Sequence, residues 1–186
     1  MLLLRGDIAY NWQNWFPRVT PQPSSLDEFL RETITDCNEA IGVFEDLRSK
    51  SEAAVRFACS SELAKANCIR ATASMDLNIV DWNCIFGDLD RALRFWTDPD
   101  LRLHDAPWWI KCVEQYVRCL SKMGQSRRAL ELALTAYRER LSLFEAISDP
   151  QATFELIRAA PHLPNEVAVL YTCLGQPEQA LRNNCV

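Results

Sequence analysis

Glycine is scarce in this chain, with five in 186 residues. Alanine and leucine are plentiful by contrast, and that balance favours helix over sheet. Histidine is scarcer still: His104 and His162 are the only two, far apart in sequence. Sites that need imidazole therefore have few options. No Gly-rich phosphate loop, no G-x-S-x-G and no H-E-x-x-H occurs. No apolar run approaches the roughly 18 residues of a membrane span. Met1–Leu4 is too short for the apolar region of a signal peptide, and Arg5-Gly6-Asp7 interrupts it. Positive charge is also in deficit. The net charge is −5 and the pI about 5.1, so the chain has no general attraction for phosphate backbones or anionic lipid. These absences lead us to expect a soluble, intracellular, cytoplasmic protein with no membrane role, and they disfavour nucleic acid.

What is present is an ordinary globular balance, 48% hydrophobic and 24% charged, enough for a continuous core. Eight cysteines stand out: Cys37, Cys59, Cys68, Cys84, Cys112, Cys119, Cys173 and Cys185. None forms a C-x-x-C pair, which sets them apart from common zinc sites. The simplest reading is small buried thiols in helix packing, reduced in the native protein. A disulfide, a metal or a reactive thiol is the alternative.

Residues 1–24 form a distinct arm. Tyr10, Trp12, Trp15 and Phe16 are aromatic, and Pro17, Pro21 and Pro23 then break any helix. Residues 25–186 read as a single helical domain. Ser25-Leu26-Asp27-Glu28 has the form of a capping box. Leu26, Phe29, Leu30, Ile34, Cys37, Ala40, Ile41, Phe44 and Leu47 follow at helical spacing, predicting a helix over 26–48. A second is predicted over 51–71, a long one over 125–147, and a short one over 150–159 after the restart signal Ser148-Asp149-Pro150. In all, seven to nine helices and no sheet are expected.

From residue 73 a repeat emerges. Gly87-Asp88-Leu89-Asp90-Arg91-Ala92-Leu93, Gly124-Gln125-Ser126-Arg127-Arg128-Ala129-Leu130 and Gly175-Gln176-Pro177-Glu178-Gln179-Ala180-Leu181 share Gly, a polar residue, then Ala-Leu. The first two glycines are 37 apart and the last two 51 apart. A spacing of roughly 34–40 marks stacked helical hairpins. The expected mechanics are that Gly ends one helix in left-handed backbone, and the next polar residues start a second. The Ala then lets paired helices approach closely. Ala54-Val55 lies in phase with this pattern, with Ser49 where the Gly should be, and reads as a degenerate copy.

This junction resembles the helix-to-helix turn of tetratricopeptide (TPR) repeats. Tyr171 matches the family's aromatic near the end of the first helix, Ala136 the small residue later in the second, and Trp96 the aromatic that follows Ala92. The opening Trp and Leu-Gly of the family's first helix are not cleanly present: the middle copy has Val113 and Tyr116-Val117 there. Pentatricopeptide repeats share the junction. The resemblance covers about 73–186 and implies an all-α array of antiparallel helix–turn–helix repeats, an α-solenoid. It also implies a non-enzymatic scaffold whose first helices contact a peptide or protein partner, with no cofactor. RNA binding in the pentatricopeptide manner is the alternative. An all-helical enzyme is a second one, if a pocket gathers His104 or His162 with carboxylates or a thiol.

Asn83, Lys111, Gln115, Arg118, Lys122 and Thr172 are the polar positions expected on those first helices, with Arg127 beside them. Lys122, Arg127, Arg128, Arg138 and Arg140 read as a basic patch, either a solvated face or a clamp for carboxylates. Asp98, Asp100, His104 and Asp105 have some ligand character, but Pro99 marks a loop there and Asp105 looks like a helix cap. No metal is expected. Trp108-Trp109 opens a helix with the two rings about 100° apart, so they should differ in burial. Stacked arrays expose apolar ends. The arm is expected to cover one end, and Val169, Leu174 and Leu181 to meet either another chain, for example in a homodimer, or a continuation of this one.

Overall fold

The computed structural model describes residues 25–77, 81–160 and 162–183. The arm, Cys185 and the side chain of Leu181 lie outside the described residues. Nine helices and no strand occur among those described: α1 (Leu26–Lys50), α2 (Ala53–Asp76), α3 (Trp82–Phe95), α4 (Pro99–His104), α5 (Ala106–Lys122), α6 (Ser126–Ala146), α7 (Pro150–Ala159), α8 (Leu163–Cys173) and α9 (Pro177–Asn183). The fold is all-α. None of these helices is long and apolar enough to cross a membrane. The sequence reads as one domain after the arm, whereas the contacts sort the chain into two compact units, the first ending at Phe95 and the second beginning at Trp96.

In the first unit Ser25 Oγ accepts the Glu28 amide at 3.2 Å and starts α1. Asp27 and Glu28 in the first turn, with Arg48 and Lys50 in the last, suit the helix dipole. Phe29, Leu30, Cys37, Ala40 and Ile41 bury the inner face. A two-residue turn leads into α2, which packs on α1 and on α3. The two neighbours explain why α2 is buried on most of its circumference from Cys59 to Met75. Its opening residues 53–58 stay exposed. The sequence ends this helix near 71. Ala73 and Met75 are buried, and that packing carries it on to Asp76.

Arg70 of α2 organises the polar contacts of this unit. Its Nε and Nη2 donate to Asp88 Oδ2 and Oδ1 at 2.8 and 2.7 Å, and its Nη1 to Asn38 Oδ1 at 2.6 Å. One guanidinium thus links α1, α2 and α3.

In the second unit α5 is the central helix. Hairpin partner α6 packs on it, as do α4, α7 and α8, and α9 packs on α8. Ile110, Cys112, Val113, Val117, Cys119 and Leu120 of α5 are buried, as are Ala129, Ala133 and Ala136 of α6. The α5–α6 and α8–α9 turns have the same backbone. Gly124 and Gly175 both adopt φ 74°. Gln125 N–H donates to Leu120 C=O and Gln176 N–H to Tyr171 C=O, each at 2.9 Å. Gly124 and Gly175 donate to Ser121 and Thr172, each at 3.0 Å. This is the Schellman closure, which satisfies helix-end carbonyls and needs left-handed backbone at the glycine. The close-contact alanines that follow, Ala129 and Ala180, are buried.

Gly87 departs from that pattern and corrects the reading of the first copy. It lies inside α3, which runs unbroken from Trp82 to Phe95. Trp82, Ile85 and Phe86 lie in the opening turns of the same helix, so Gly87 ends no helix. Ala54 departs as well: it is exposed, where Ala92, Ala129 and Ala180 are buried.

Candidate functional site

Helix α5 begins at Ala106 with Pro107 in its first turn, where the missing N–H costs nothing. Trp108, Lys111, Gln115, Arg118 and Lys122 recur along it at steps of three and four, so they share one face. Four of them reach solvent: Lys122 is exposed, and Trp108, Lys111 and Arg118 are half-buried. The Lys111 ammonium sits 4.6 Å from the centroid of the Trp108 ring. Most other α5 positions turn inward. The one carboxylate of the helix, Glu114, is only 1% exposed. The solvent face of α5 therefore carries an aromatic ring, three cations and no anion.

Gln115 fits the stripe by spacing but not by burial. It is buried, and its Oε1 accepts from Arg118 Nη1 at 2.7 Å. It thus lies beneath Arg118 and not on the solvent face of the helix. Arg127 is exposed in the first turn of α6. Thr172 is exposed on α8 with its hydroxyl donating to Ala168 C=O at 3.0 Å. Asn83 is exposed on α3 and so belongs to the other unit.

The basic patch divides. Lys122, Arg127, Arg128 and Arg138 are exposed, but Arg140 is buried. Its Nη2 donates to the carbonyls of Leu156 and Ile157 at 3.1 and 2.7 Å, at the end of α7. Burial pulls its guanidinium below the usual arginine range, with Tyr137 and Glu114 opposing. Periodicity separates Arg138 from Arg140, since Arg140 continues the buried face of Ala129, Ala133 and Ala136; what it does not show is that carbonyls of α7 receive the guanidinium.

The tryptophan pair splits as its geometry requires. Trp109 is buried under the Arg102 guanidinium, 5.1 Å from its centroid, while Trp108 stays partly in solvent. Arg102 also bonds Glu139 of α6 and the Trp96 carbonyl, fastening α4 to the hairpin. The acidic stretch, expected as a loop, is the short helix α4. Asp98 Oδ1 accepts the Asp100 amide at 2.9 Å and caps α4. Asp105 occupies the N-cap position of α5, yet its carboxylate does not cap; it accepts from the Trp96 indole at 3.4 Å. Among the described residues no group of three or more His, Cys, Asp or Glu side chains is placed to hold a metal ion.

The enzyme reading required a pocket holding a histidine. A hollow of about 680 Å³, open to solvent, runs along the start of α1 between Ser25 and Asp36 and includes no histidine or cysteine. His104 and His162 are both exposed. His162 does meet a buried carboxylate, but through its backbone: its N–H donates to Glu114 Oε2 at 3.0 Å. Burial holds the Glu114 carboxyl above the usual range, against the opposing pull of His162, Arg118 and the amides of His162 and Leu163. No sequence motif announces this contact, since 48 residues separate the partners.

Cys37, Cys59, Cys68, Cys112 and Cys119 are buried thiols, and Cys84 and Cys173 are exposed. On the expected C-terminal face Val169 is 53% exposed and Leu174 half-buried. No family model, curated protein or solved structure matches the chain.

Proposed function

We propose that this chain is a protein-interaction module, and that the solvent face of α5 receives an acidic segment of a partner protein. One observation carries the reading: Trp108, Lys111, Arg118 and Lys122 line that face, and no exposed carboxylate interrupts them on the helix, in a chain whose net charge is −5. Local cationic character against an acidic background steers an acidic ligand to one place. Arg118, oriented by Gln115, offers the fork geometry that suits a carboxylate. Trp108 offers an amphipathic ring of the kind enriched in binding hot spots. The resemblance to TPR repeats points the same way, because in such arrays the first helix of a hairpin lines the binding surface.

The test is selection from a peptide library of mixed charge, followed by anisotropy with the selected peptides. Acidic peptides should dominate the selection, and their affinity should fall as salt rises. The charge reversals Lys111→Glu and Arg118→Glu together should weaken binding at least tenfold, about 1.4 kcal/mol. Asn83→Ala, in the other unit, should leave it unchanged. A single-stranded RNA pool run in parallel addresses the rival reading. Preference for the RNA, or peptide binding indifferent to the double reversal, overturns the proposal.

A further inference from the structure

Two helices, one in each unit, carry opposite charge in matching order. On α5 the solvent row is Trp108, Lys111, Arg118 and Lys122, with Gln115 buried beneath Arg118. On α1, Glu28, Glu32, Thr35, Glu39 and Gly42 form a row of their own, and all five are exposed. Each row advances by steps of three and four or their sums, which keeps it on one side of its helix. Asp27 and Arg31 flank the α1 row, one of each sign.

Along α5 the cations are seven and then four residues apart; along α1 the glutamates are four and then seven apart. The reversed order matches when the helices run antiparallel. Lys122 then meets Glu28, Arg118 meets Glu32 and Lys111 meets Glu39. At a rise of about 1.5 Å per residue, both rows place their charges about 6 and 10.5 Å apart. A parallel arrangement brings at most two of the three cations onto glutamates. In the antiparallel register uncharged Thr35 lies over the position of Gln115, and Trp108 falls opposite Gly42. A Cβ at Gly42 would have nothing within 4 Å, so the backbone there is open to a ring. Glycine on a solvent face in mid-helix weakens the helix without local return, and a ring seated on it supplies one. The hollow along the start of α1 includes Glu28, Glu32 and Thr35 of the same row, which gives the long side chains of α5 room to enter.

We propose that the acidic segment received by α5 is helix α1 of a second copy of this chain, laid antiparallel along it. This rests on the reading of α5 as a surface for an acidic segment, and it names the segment. Exposed ion pairs contribute little one at a time, so the association is weak and depends on the row acting together with Trp108. Two copies of net charge −5 repel each other at a distance. At about 0.15 M salt the Debye length of about 8 Å screens that repulsion more than it screens pairs in contact.

Sedimentation of the full chain at about 0.15 M salt reads the association. The weight-average mass should rise above 21.3 kDa with concentration. Lys111→Glu with Arg118→Glu should weaken self-association roughly tenfold or more. Glu32→Lys with Glu39→Lys, both at exposed positions, should do the same. An equimolar mixture of the two variants should associate again, because the acidic α1 of the first meets the basic α5 of the second, and the reversed faces also match. A wild-type chain that stays monomeric up to about 1 mM overturns the proposal. If acidic peptides still bind that monomer, the reading of α5 stands; if they do not, it falls as well. Association at wild-type strength by either variant alone, or a mixture that fails to recover, puts the contact on another surface and overturns the proposal too.

Discussion

Arg70 and Asp88 form a two-pronged ion pair, 2.8 and 2.7 Å, that ties α2 to α3 in the first unit. Asp88 is the residue after Gly87, and in sequence the two resemble the Gly-polar junctions at Gly124 and Gly175. The fold uses them otherwise. Asp88 must lie on a helix packed against α2 to meet Arg70, so the helix passes through Gly87. The intrinsic penalty of one helical glycine, about 1 kcal/mol, is smaller than what a bidentate pair and the packing of Ile85, Leu89 and Ala92 return.

Two glycine substitutions should therefore have opposite effects. Gly87→Ala places a methyl group in open space on a helix and should stabilise the protein by about 0.5–1 kcal/mol. Gly124→Ala forces a side chain into left-handed backbone and should cost about 1–2 kcal/mol. Urea unfolding of the two variants reads both. Destabilisation of equal size at both positions would return Gly87 to the role of a junction.

Ala129 has no exposed surface, and a larger side chain there must push α6 from its neighbours. Ala129→Leu should cost on the order of 1–3 kcal/mol. Ala54→Leu, at the exposed start of α2, should stay within about 0.5 kcal/mol of wild type. Thermal melts that shift equally would show that the two alanines are equivalent after all.

Thiol chemistry should follow burial. Among the seven described cysteines, Cys84 and Cys173 should be alkylated first in the native protein, and the five buried ones only on unfolding. A hydrogen bond to Asp81 holds the Cys84 thiol up, so at neutral pH it should react more slowly than its exposure alone implies. Cys37 should be among the last, because burial pushes its thiol up to about 12. Peptide mapping after brief labelling gives the order. Early modification of Cys37 would contradict the packing around Arg70.

Helical class, the capped start of α1, the restart at Pro150 and two of the three glycine turns were legible in the sequence. Each is local: Ser25 reaches the amide three residues on, and a left-handed glycine closes hydrogen bonds within its own turn. The α5 stripe was legible for the same reason, since spacing alone sets the face of a helix. Burial was not. Gln115 carries the same periodic signature as the exposed residues of its stripe, whereas Arg140 falls in line with the buried alanines of α6. Only the packing of α6, α7 and α8 around α5 put Gln115 beneath Arg118 and gave Arg140 the carbonyls of α7. Glu114 at the opening of α8 belongs to the same class, a contact between residues 48 apart that no local pattern encodes. The sequence by itself determined the helical class, two of the glycine turns and the stripe along α5, because those depend on neighbours a few bonds away. The tertiary structure alone decided which polar side chains lose their water, because that depends on which faces meet.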